Sequence, residues 1–291
     1  MSEPVVVTPG VLREWALPGA GGGKDARGRV CVLGGTDATV GAVRLAGEAS
    51  LRAGGGKLAV ATVADAVAAL GVAMPEAAVT GLPTDDDGNL SADGAQTAAG
   101  WADGADVVVV GSGFSDPDAS VALLRGLAPE LGSTVVVDAL ASAFLTEHPD
   151  GLHHLDGRAI LSVNPTELAR TAHASDDEVE SDPLSVARDV ARTSRVVVLC
   201  GGTEKHVVTP DGRAWLVQGG GPGLGVSGSG DVQAGIVAGL VARGAEPAQA
   251  ATWGAYLHAR AGERLAASVG VVGYLARELP AQVPQILVEL G

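Results

Sequence analysis

The chain contains, at residues 105–113, the stretch Ala105-Asp106-Val107-Val108-Val109-Val110-Gly111-Ser112-Gly113. Four consecutive valines make a strand apolar on both faces, which is typical of a strand buried in a parallel sheet that is covered on both sides. The stretch Val196-Val197-Val198-Leu199 has the same pattern. Both stretches therefore predict central strands of one sheet.

Outward from these two stretches, short apolar segments alternate with longer Ala-rich amphipathic segments. Such alternation predicts an α/β fold, with a mainly parallel sheet and helices on both of its faces. We expect strands at residues 29–33, 57–63, 106–111, 134–138, 158–162 and 195–200. Between them we expect helices at residues 42–53, 119–127, 141–147, 166–171 and 183–193.

The C-terminal third has a different pattern. Pro210-Asp211-Gly212 predicts a hairpin turn between strands at residues 207–209 and 214–217. A Gly-rich loop at residues 219–230 precedes predicted helices at residues 231–243, 247–268 and 272–290. The acidic stretch at residues 175–182 predicts a solvated surface loop. Because no repeat or composition break marks a linker, we expect a single domain over residues 1–291.

The composition argues against several classes of function. The 291 residues carry 19 basic and 34 acidic side chains, and this net charge of −15 disfavours binding to nucleic acid or to an anionic membrane. No apolar stretch reaches the roughly 20 residues of a membrane span. Two cysteines, Cys31 and Cys200, are too few for a disulfide framework. Residues 1–4 lack the basic segment of a secretory signal, so we expect a cytoplasmic protein.

The strongest functional signal is the stretch Gly225-Val226-Ser227-Gly228-Ser229-Gly230-Asp231-Val232. Backbone N–H groups of such a Gly-rich turn, at the start of a helix, form a site suited to phosphate. Asp231 lies at the helix entry, where the helix dipole favours its ionised form and where it can act as a base beside a transferring phosphoryl group. The alternative is that Asp231 is only an N-cap. Gly235 and Gly239 indicate close packing of the helix that follows.

A second polar turn, Asn164-Pro165-Thr166-Glu167, follows the predicted strand at residues 158–162. Open α/β sheets bind ligands at the carboxyl ends of their strands. Glu167 in that place can organise Mg²⁺ and its waters near a phosphate. The structural alternative is that Asn164 is the N-cap and Pro165 the first residue of a helix.

Three further features carry weaker signals. The turn Gly34-Gly35-Thr36 has neither the spacing of a dinucleotide-binding turn nor the lysine of a P-loop. The segment Cys200-Gly201-Gly202-Thr203 ends an apolar strand and is expected to line a nucleotide site, although Cys200 alone is more typical of a buried hydrophobe than of a nucleophile. His258 lies within a predicted helix and is expected to be a structural histidine.

These motifs together resemble one family. The stretches at residues 29–36, 40–56, 74–76, 105–113, 164–167, 227–231 and 256–262 closely resemble the NAD(P)H-hydrate dehydratases of the ribokinase-like superfamily, and the resemblance covers residues 29–284. It implies a three-layer α/β fold with a mainly parallel central sheet. It also implies a repair reaction in which ADP or ATP, with Mg²⁺, serves to phosphorylate the hydroxyl of hydrated NADH or NADPH, after which phosphate is eliminated.

The resemblance implies roles for individual residues. Asp231 would be the catalytic base and would contact the hydrate, and Glu167 would hold Mg²⁺ through water. Ala42, Gly113 and Asn164 would line the hydrate site. The residues expected to contact the adenine nucleotide are Cys200, Gly201, Gly202, Thr203, Glu204, Gly228, Ser229 and Gly230. A homo-oligomer, specifically a tetramer, is also implied.

Several positions depart from the family's usual motifs. Ser112 replaces a proline, Leu140 a second aspartate, Asn164 a histidine and Cys200 a lysine. The loss of a cation and a carboxylate near phosphates weakens transition-state stabilisation unless other groups substitute, and Lys205 is a candidate for the missing cation. Two alternatives therefore stay open: a small-molecule kinase of the same superfamily, of the hydroxymethylpyrimidine or thiazole type, and a catalytically weak nucleotide-binding protein.

Overall fold

The computed structural model describes residues 3–19 and 21–291. The strands in these ranges are β1 Val5–Val6, β2 Arg29–Leu33, β3 Lys57–Val63, β4 Ala77–Leu82, β5 Val107–Val110, β6 Thr134–Asp138, β7 Ala159–Val163, β8 Val197–Cys200, β9 Glu204–Val208 and β10 Ala214–Gln218. They form one sheet in the order β1-β10-β9-β8-β7-β6-β5-β2-β3-β4.

The centre of the sheet is parallel. Every neighbouring pair from β4 to β8 runs in the same direction, whereas β9 is antiparallel to β8 and β10 is antiparallel to β9. The predicted hairpin lies between β9 and β10, where the amide of Thr209 donates to the carbonyl of Arg213 over 3.0 Å. The prediction of a mainly parallel sheet is therefore confirmed.

Helices cover both faces of the sheet. They are α1 Pro9–Glu14, α2 Gly41–Arg52, α3 Val67–Ala73, α4 Ala95–Ala102, α5 Pro117–Leu127, α6 Ser142–Glu147, α7 Pro165–Ala172, α8 Asp176–Ser181, α9 Pro183–Ser194, α10 Ser229–Ala242, α11 Pro247–Ser268 and α12 Val283–Leu290. Val107 and Val109 of β5 pack into the core beneath α2, α10 and α11, while Val108 and Val110 pack into a second core beneath α5, α6 and α9. This arrangement confirms the three-layer α/β prediction.

The predicted elements agree best in the buried sheet. β2, β3 and β6 have the predicted bounds, and β5, β7 and β8 differ from them by one or two residues. β4 was not predicted, because this edge strand is only partly buried and therefore lacks a continuous apolar pattern. The predicted helix at residues 272–290 is wrong in its first half, since α12 begins only at Val283 and two short 3₁₀ turns precede it.

The predicted acidic loop at residues 175–182 is also wrong, because most of it forms α8. Ser175 is the N-cap, and its hydroxyl and the carboxylate of Glu178 form a capping box. Acidic side chains in the first turn interact favourably with the helix dipole. Val179 is buried and fixes the helix to the core beneath it.

The helix α10 packs closely on α2 because two of its positions are glycine. A Cβ at Gly235 would lie 2.2 Å from the backbone oxygen of Ala46, and one at Gly239 would lie 2.2 Å from that of Ser50. Both distances are far shorter than a van der Waals contact. The close packing predicted for these glycines is confirmed, and it fixes the start of α10 relative to the sheet.

No helix in the part of the chain that the structure describes is long and apolar enough to cross a membrane. The N-terminal prediction about a secretory signal concerns in part Met1 and Ser2, which lie outside the described residues.

Candidate active site

A cavity of about 670 Å³ opens at the carboxyl ends of β6 and β7. Its walls come from these strand ends, the start of α7, the segment between β8 and β9, and the Gly-rich loop that leads into α10. Parallel strands end at one edge of the sheet, and ligand sites of open α/β folds lie at that edge. The volume is in the range of small-molecule and cofactor sites.

Eight of the residues predicted from the sequence meet in this cavity. The members of this group come from three separate segments of the chain, which the topology brings to one edge of the sheet. They are Asn164, Glu167, Gly201, Gly202, Thr203, Ser229, Gly230 and Asp231.

The remaining predicted residues do not line the cavity. Cys200 is 1% exposed and lies within the second core, and the carboxylate of Glu204 accepts a hydrogen bond from Gln218. Gly113 and Ala42 lie against each other, because a Cβ at Gly113 would be 2.9 Å from that of Ala42. Gly228 packs behind the loop on Leu45, in a left-handed conformation that favours glycine.

The start of α10 brings backbone donors to the cavity. Gly228 is the N-cap and supplies no side chain, so no side-chain cap satisfies the first amides of the helix. The amide of Ser229 donates to the carbonyl of Val226, which leaves the amide of Gly230 for a ligand. Asp231 is the third residue of α10, and the alternative that it is only an N-cap is wrong. The N-terminus of this 14-residue helix is suited to an anion, because the helix dipole favours negative charge there.

The side chain of Asp231 is a weaker acid than an ordinary aspartate. Burial raises its pKa to about 6, the Ser112 hydroxyl and the amide of Asp231 itself lower it, and the negative charge of Glu167 raises it further. The sequence predicts that the helix dipole favours the anion, but burial has the larger effect. At neutral pH the carboxylate is still mainly ionised, and its pKa is much closer to 7 than that of a surface aspartate.

A second buried carboxylate, Asp138, was not predicted as a site residue. It ends β6, it is 4% exposed, and its Oδ2 accepts a hydrogen bond from the Ser112 hydroxyl over 3.0 Å. Burial and the negative charges of Asp231 and Glu167 raise its pKa well above the ordinary value. The sequence signal was present, since a carboxylate that ends an apolar parallel strand lies where such sheets bind ligands.

The backbone directly after Asp138 is strained. Ala139 has a φ of 50°, in the left-handed region that residues with a Cβ rarely adopt. It follows β6 and lies in the cavity wall. Such strain is typical of functional sites, and here it turns the chain at the point where Asp138 meets the cavity.

Asn164 and Glu167 form a complete capping box at the start of α7. The side-chain oxygen of Asn164 accepts from the amide of Glu167, and the Glu167 carboxylate accepts from the amide of Asn164, each over 2.9 Å. The structural alternative for this pair is therefore confirmed, and both residues also line the cavity. Burial raises the pKa of Glu167, whereas the Asn164 amide and Arg170 oppose that rise.

Comparison with known proteins agrees with this geometry. The family model described as NAD(P)H-hydrate dehydratase matches residues 30–285. A curated ADP-dependent (S)-NAD(P)H-hydrate dehydratase of Xanthomonas campestris pv. campestris is 41% identical over 286 residues, which are 97% of this chain and 95% of that protein. The chain belongs to the NAD(P)H-hydrate dehydratase family. The family assignment favours the dehydratase interpretation over a hydroxymethylpyrimidine or thiazole kinase.

Solved structures show the same fold. A ribokinase-like superfamily protein of Enterococcus faecalis V583 aligns with a TM-score of 0.84 at 20% identity, over 99% of this chain and 96% of that one. The ADP/ATP-dependent NAD(P)H-hydrate dehydratase of Bacillus subtilis, co-crystallized with ATP/Mg²⁺, aligns with a TM-score of 0.82 at 24% identity over the whole of both chains. The ribokinase-like fold prediction is confirmed.

The departures from the dehydratase motifs have different structural consequences. Leu140 is half-buried and packs against the second core, so no carboxylate takes its place at the cavity. Ser112, which replaces a proline, contributes a hydroxyl to Asp138. Asn164 retains a polar side chain at the cavity, and Cys200 is a buried thiol that cannot supply a charge to it.

The donor set fits the Mg²⁺ expected of a dehydratase. In residues 3–19 and 21–291, no group of three or more His, Cys, Asp or Glu side chains can hold a metal ion by itself. Asp138, Glu167 and Asp231 nevertheless influence one another electrostatically. Mg²⁺ is usually bound by one or two carboxylates together with phosphate and water oxygens. These carboxylates therefore suit an ion that is shared with nucleotide phosphates.

Proposed function

We propose that this chain dehydrates the hydrate of NADH or NADPH with ADP as the phosphoryl donor. The observation that carries the proposal is the position of Asp231. Its carboxylate lies in the first turn of α10, beside amides without a side-chain cap, in the wall of a cavity of about 670 Å³. This arrangement combines an anion site with a base of raised pKa, which are the two requirements of phosphoryl transfer to a hydroxyl.

The first step transfers a phosphoryl group to the hydrate. The Gly-rich loop and the first amides of α10 bind the nucleotide phosphates through backbone N–H donors. Asp231 accepts the proton of the hydrate hydroxyl while the hydroxyl oxygen forms a bond to the β-phosphorus of ADP. The bond between that phosphorus and the bridging oxygen breaks, and AMP leaves with the electron pair.

The second step restores the dinucleotide. The carbon–oxygen bond of the phosphorylated hydrate breaks, and inorganic phosphate leaves with its electrons. The departing phosphate accepts a proton from the adjacent ring carbon, and the electron pair of that carbon–hydrogen bond forms the carbon–carbon double bond of NADH or NADPH. Bound Mg²⁺, held through water by Glu167 and Asp231, would neutralise charge on the phosphates in both steps.

Asp138 restricts the charge of the site. Two carboxylates that share a buried hydrogen-bond partner do not both ionise readily, so one of them keeps a proton. Asp138 is 4% exposed and Asp231 is only partly buried, and burial raises the pKa of Asp138 well above its ordinary value. We therefore assign the proton to Asp138, which leaves Asp231 as the anion that acts as base.

Further roles follow the family resemblance. Asn164 lines the hydrate site within the cavity, and we propose that this site extends beyond the cavity to Ala42 and Gly113. Within the cavity, the residues that contact the nucleotide are Gly201, Gly202, Thr203, Ser229 and Gly230. Cys200, Glu204 and Gly228 support this nucleotide segment from outside the cavity. We also propose that the protein is cytoplasmic and that it forms a homo-oligomer, specifically a tetramer. Light scattering on the purified protein measures the oligomeric state directly.

The decisive assay supplies the hydrate. NADH hydrate or NADPH hydrate is incubated with the protein, Mg²⁺ and either ADP or ATP, and the absorbance of the reduced nicotinamide is followed. We expect absorbance to recover only when nucleotide is present, with one AMP formed per dinucleotide when ADP is used. Nucleotide binding without any recovery would favour the alternative of a catalytically weak binding protein.

A further inference from the structure

A buried lysine without a counterion lies in the wall of the cavity. Lys205, the second residue of β9, is 4% exposed. Its ammonium donates to Oε1 of Gln233 over 2.5 Å and lies 2.9 Å from Nδ1 of His258. Among the residues that the structure describes, no carboxylate forms an ion pair with it.

The groups around Lys205 are neutral. Gln233 of α10 carries no charge, burial and the nearby lysine lower the pKa of His258 on α11 well below its ordinary value, and burial raises the pKa of the Cys200 thiol on β8 to about 12. Burial in turn lowers the pKa of Lys205 to about 7. The carboxylates of Glu167 and Asp231 line other parts of the same cavity wall. A buried ammonium in such surroundings is unfavourable unless an anion accompanies it.

An ammonium has three N–H donors, and the two contacts described account for two of them. Gly202 and Gly230 line the same cavity as Lys205 and can offer backbone amides to an anion, whereas the amides of Gly201 and Ser229 donate to backbone carbonyls. We propose that Lys205 binds a phosphate of the adenine nucleotide and supplies the positive charge of the nucleotide site. This inference rests on the proposed function, since it takes ADP as the anion.

The lysine also determines the hydrogen bonding of its neighbours. A charged ammonium cannot accept, so Nδ1 of His258 accepts from Lys205 and Nε2 of the neutral ring carries the hydrogen. That hydrogen is donated to Oγ of Ser229, which lies 2.9 Å away. The hydroxyl hydrogen of Ser229 is then free to point to a phosphate oxygen at the start of α10. Binding of one anion thus engages both the ammonium and the hydroxyl.

The test compares ligands with and without phosphate. Lys205→Met removes the charge at nearly constant volume, and Lys205→Gln removes it while keeping a donor for His258. Calorimetry with ADP is expected to show affinity reduced by roughly 10- to 100-fold in both variants. Adenosine affinity is expected to stay unchanged. Lys24→Met, at an exposed lysine, is the matched control and should bind ADP like the wild type.

A second measurement follows the binding of ADP alone, so it does not require the variants to be catalytically active. Titration of ADP at pH 8 in two buffers of different ionisation enthalpy reports proton uptake. Because the amine is largely neutral there before the anion binds, wild type is expected to take up as much as about one proton more than either variant. The unfolding midpoint of each variant, measured alongside, identifies any variant that fails to fold.

The outcomes separate this inference from the proposed function. Three results would each overturn the role of Lys205. The first is an ADP affinity that is unchanged in folded Lys205→Gln, and the second is an equal loss of affinity for ADP and adenosine. The third is proton uptake in both variants that equals that of the wild type. In those cases turnover of the hydrate by the wild type would still support the dehydratase function. Failure of the wild type to bind ADP at all would instead contradict the proposed function itself.

Discussion

The hydroxyl of Ser112 donates a hydrogen bond to Oδ2 of Asp138 over 3.0 Å. Ser112 follows β5 and Asp138 ends β6, so the bond joins two neighbouring strand ends at the cavity. The Ser112 hydroxyl also lowers the pKa of Asp231. One serine hydroxyl therefore influences both carboxylates, at a position where the sequence resemblance implies a proline in the family motif.

This arrangement predicts opposite pH shifts for two variants. In the wild type, kcat/KM should fall below about pH 6, because the pKa of the base Asp231 is about 6. Ser112→Ala removes a hydroxyl that lowers this pKa, so the acidic limb should move to higher pH. Glu167→Gln removes a negative charge that raises this pKa, so the limb should move to lower pH. The profiles of kcat/KM against pH measure both shifts, and movement of both variants in one common direction would contradict these causes of the pKa of Asp231.

The same carboxylates affect stability. The folded protein holds the pKa of Asp138 above its ordinary value of 3.8, so between these two pKa values the folded state binds more protons than the unfolded state. The contribution of Asp138 to stability is therefore present at low pH and is lost as pH rises through its folded pKa. Asp138→Asn should be stabilised relative to wild type by an amount that grows with pH. Urea unfolding at several values from pH 4 to pH 8 measures this difference, and a gain confined to low pH would refute it.

Two glycine substitutions should have opposite signs. Gly235→Ala places a Cβ against the backbone of α2 and should destabilise the fold by roughly 1–3 kcal/mol. Gly100→Ala, inside α4 with nothing within 4 Å, should stabilise it by roughly 0.5–1 kcal/mol. Denaturant unfolding gives both values. A neutral Gly235→Ala would show that α10 does not require this close approach.

The two thiols should be unreactive in the folded protein. Burial raises the pKa of Cys31 and of Cys200 to about 12, and both are at most 1% exposed. Since the thiolate is the reactive form, a thiol-specific reagent at pH 8 should react with neither residue at an appreciable rate until denaturant is added. Rapid reaction of one thiol in the native protein would point to an accessible, activated cysteine.

The buried strands of the sheet are predicted well because each of them is marked by a continuous apolar stretch of the sequence. Strands such as β2 and β6 are covered on both faces and carry continuous apolar runs, whereas the edge strand β4 does not. The acidic residues of α8 have the charge pattern of a solvated loop, but the capping box of Ser175 and Glu178 starts a helix there. The organisation as a single domain stays a prediction.

The site is predicted only where a motif is contiguous. The Gly-rich loop and Asp231 are read from a single stretch, and so is the pair Asn164 and Glu167. Asp138 and Lys205 belong to no contiguous motif. The sequence indicates Asp138 only by its place at the end of an apolar strand and Lys205 only as a candidate for the missing cation, because their importance depends on burial and on neighbours from distant segments. His258 was expected to be structural, and both of its ring nitrogens are indeed paired, with Lys205 and Ser229 at the cavity.

The role of Asp231 as the base is tested most directly by Asp231→Asn. The amide keeps the size of the side chain and removes a charge that burial disfavours, so the variant should be at least as stable as wild type at pH 7. ADP affinity should be retained. Turnover of the hydrate should fall by roughly 10²–10⁴-fold, as expected for loss of a general base.

Asp118→Asn is the matched control, because Asp118 lies in the first turn of α5, is exposed and does not line the cavity. It should retain full turnover. The measurement is the single-turnover rate of Asp231→Asn on NADH hydrate with saturating ADP, beside wild type and this control. A rate reduced at least about a hundredfold in a folded, ADP-binding variant is the expected result. A rate within a few-fold of wild type would contradict the assignment of Asp231 as the base.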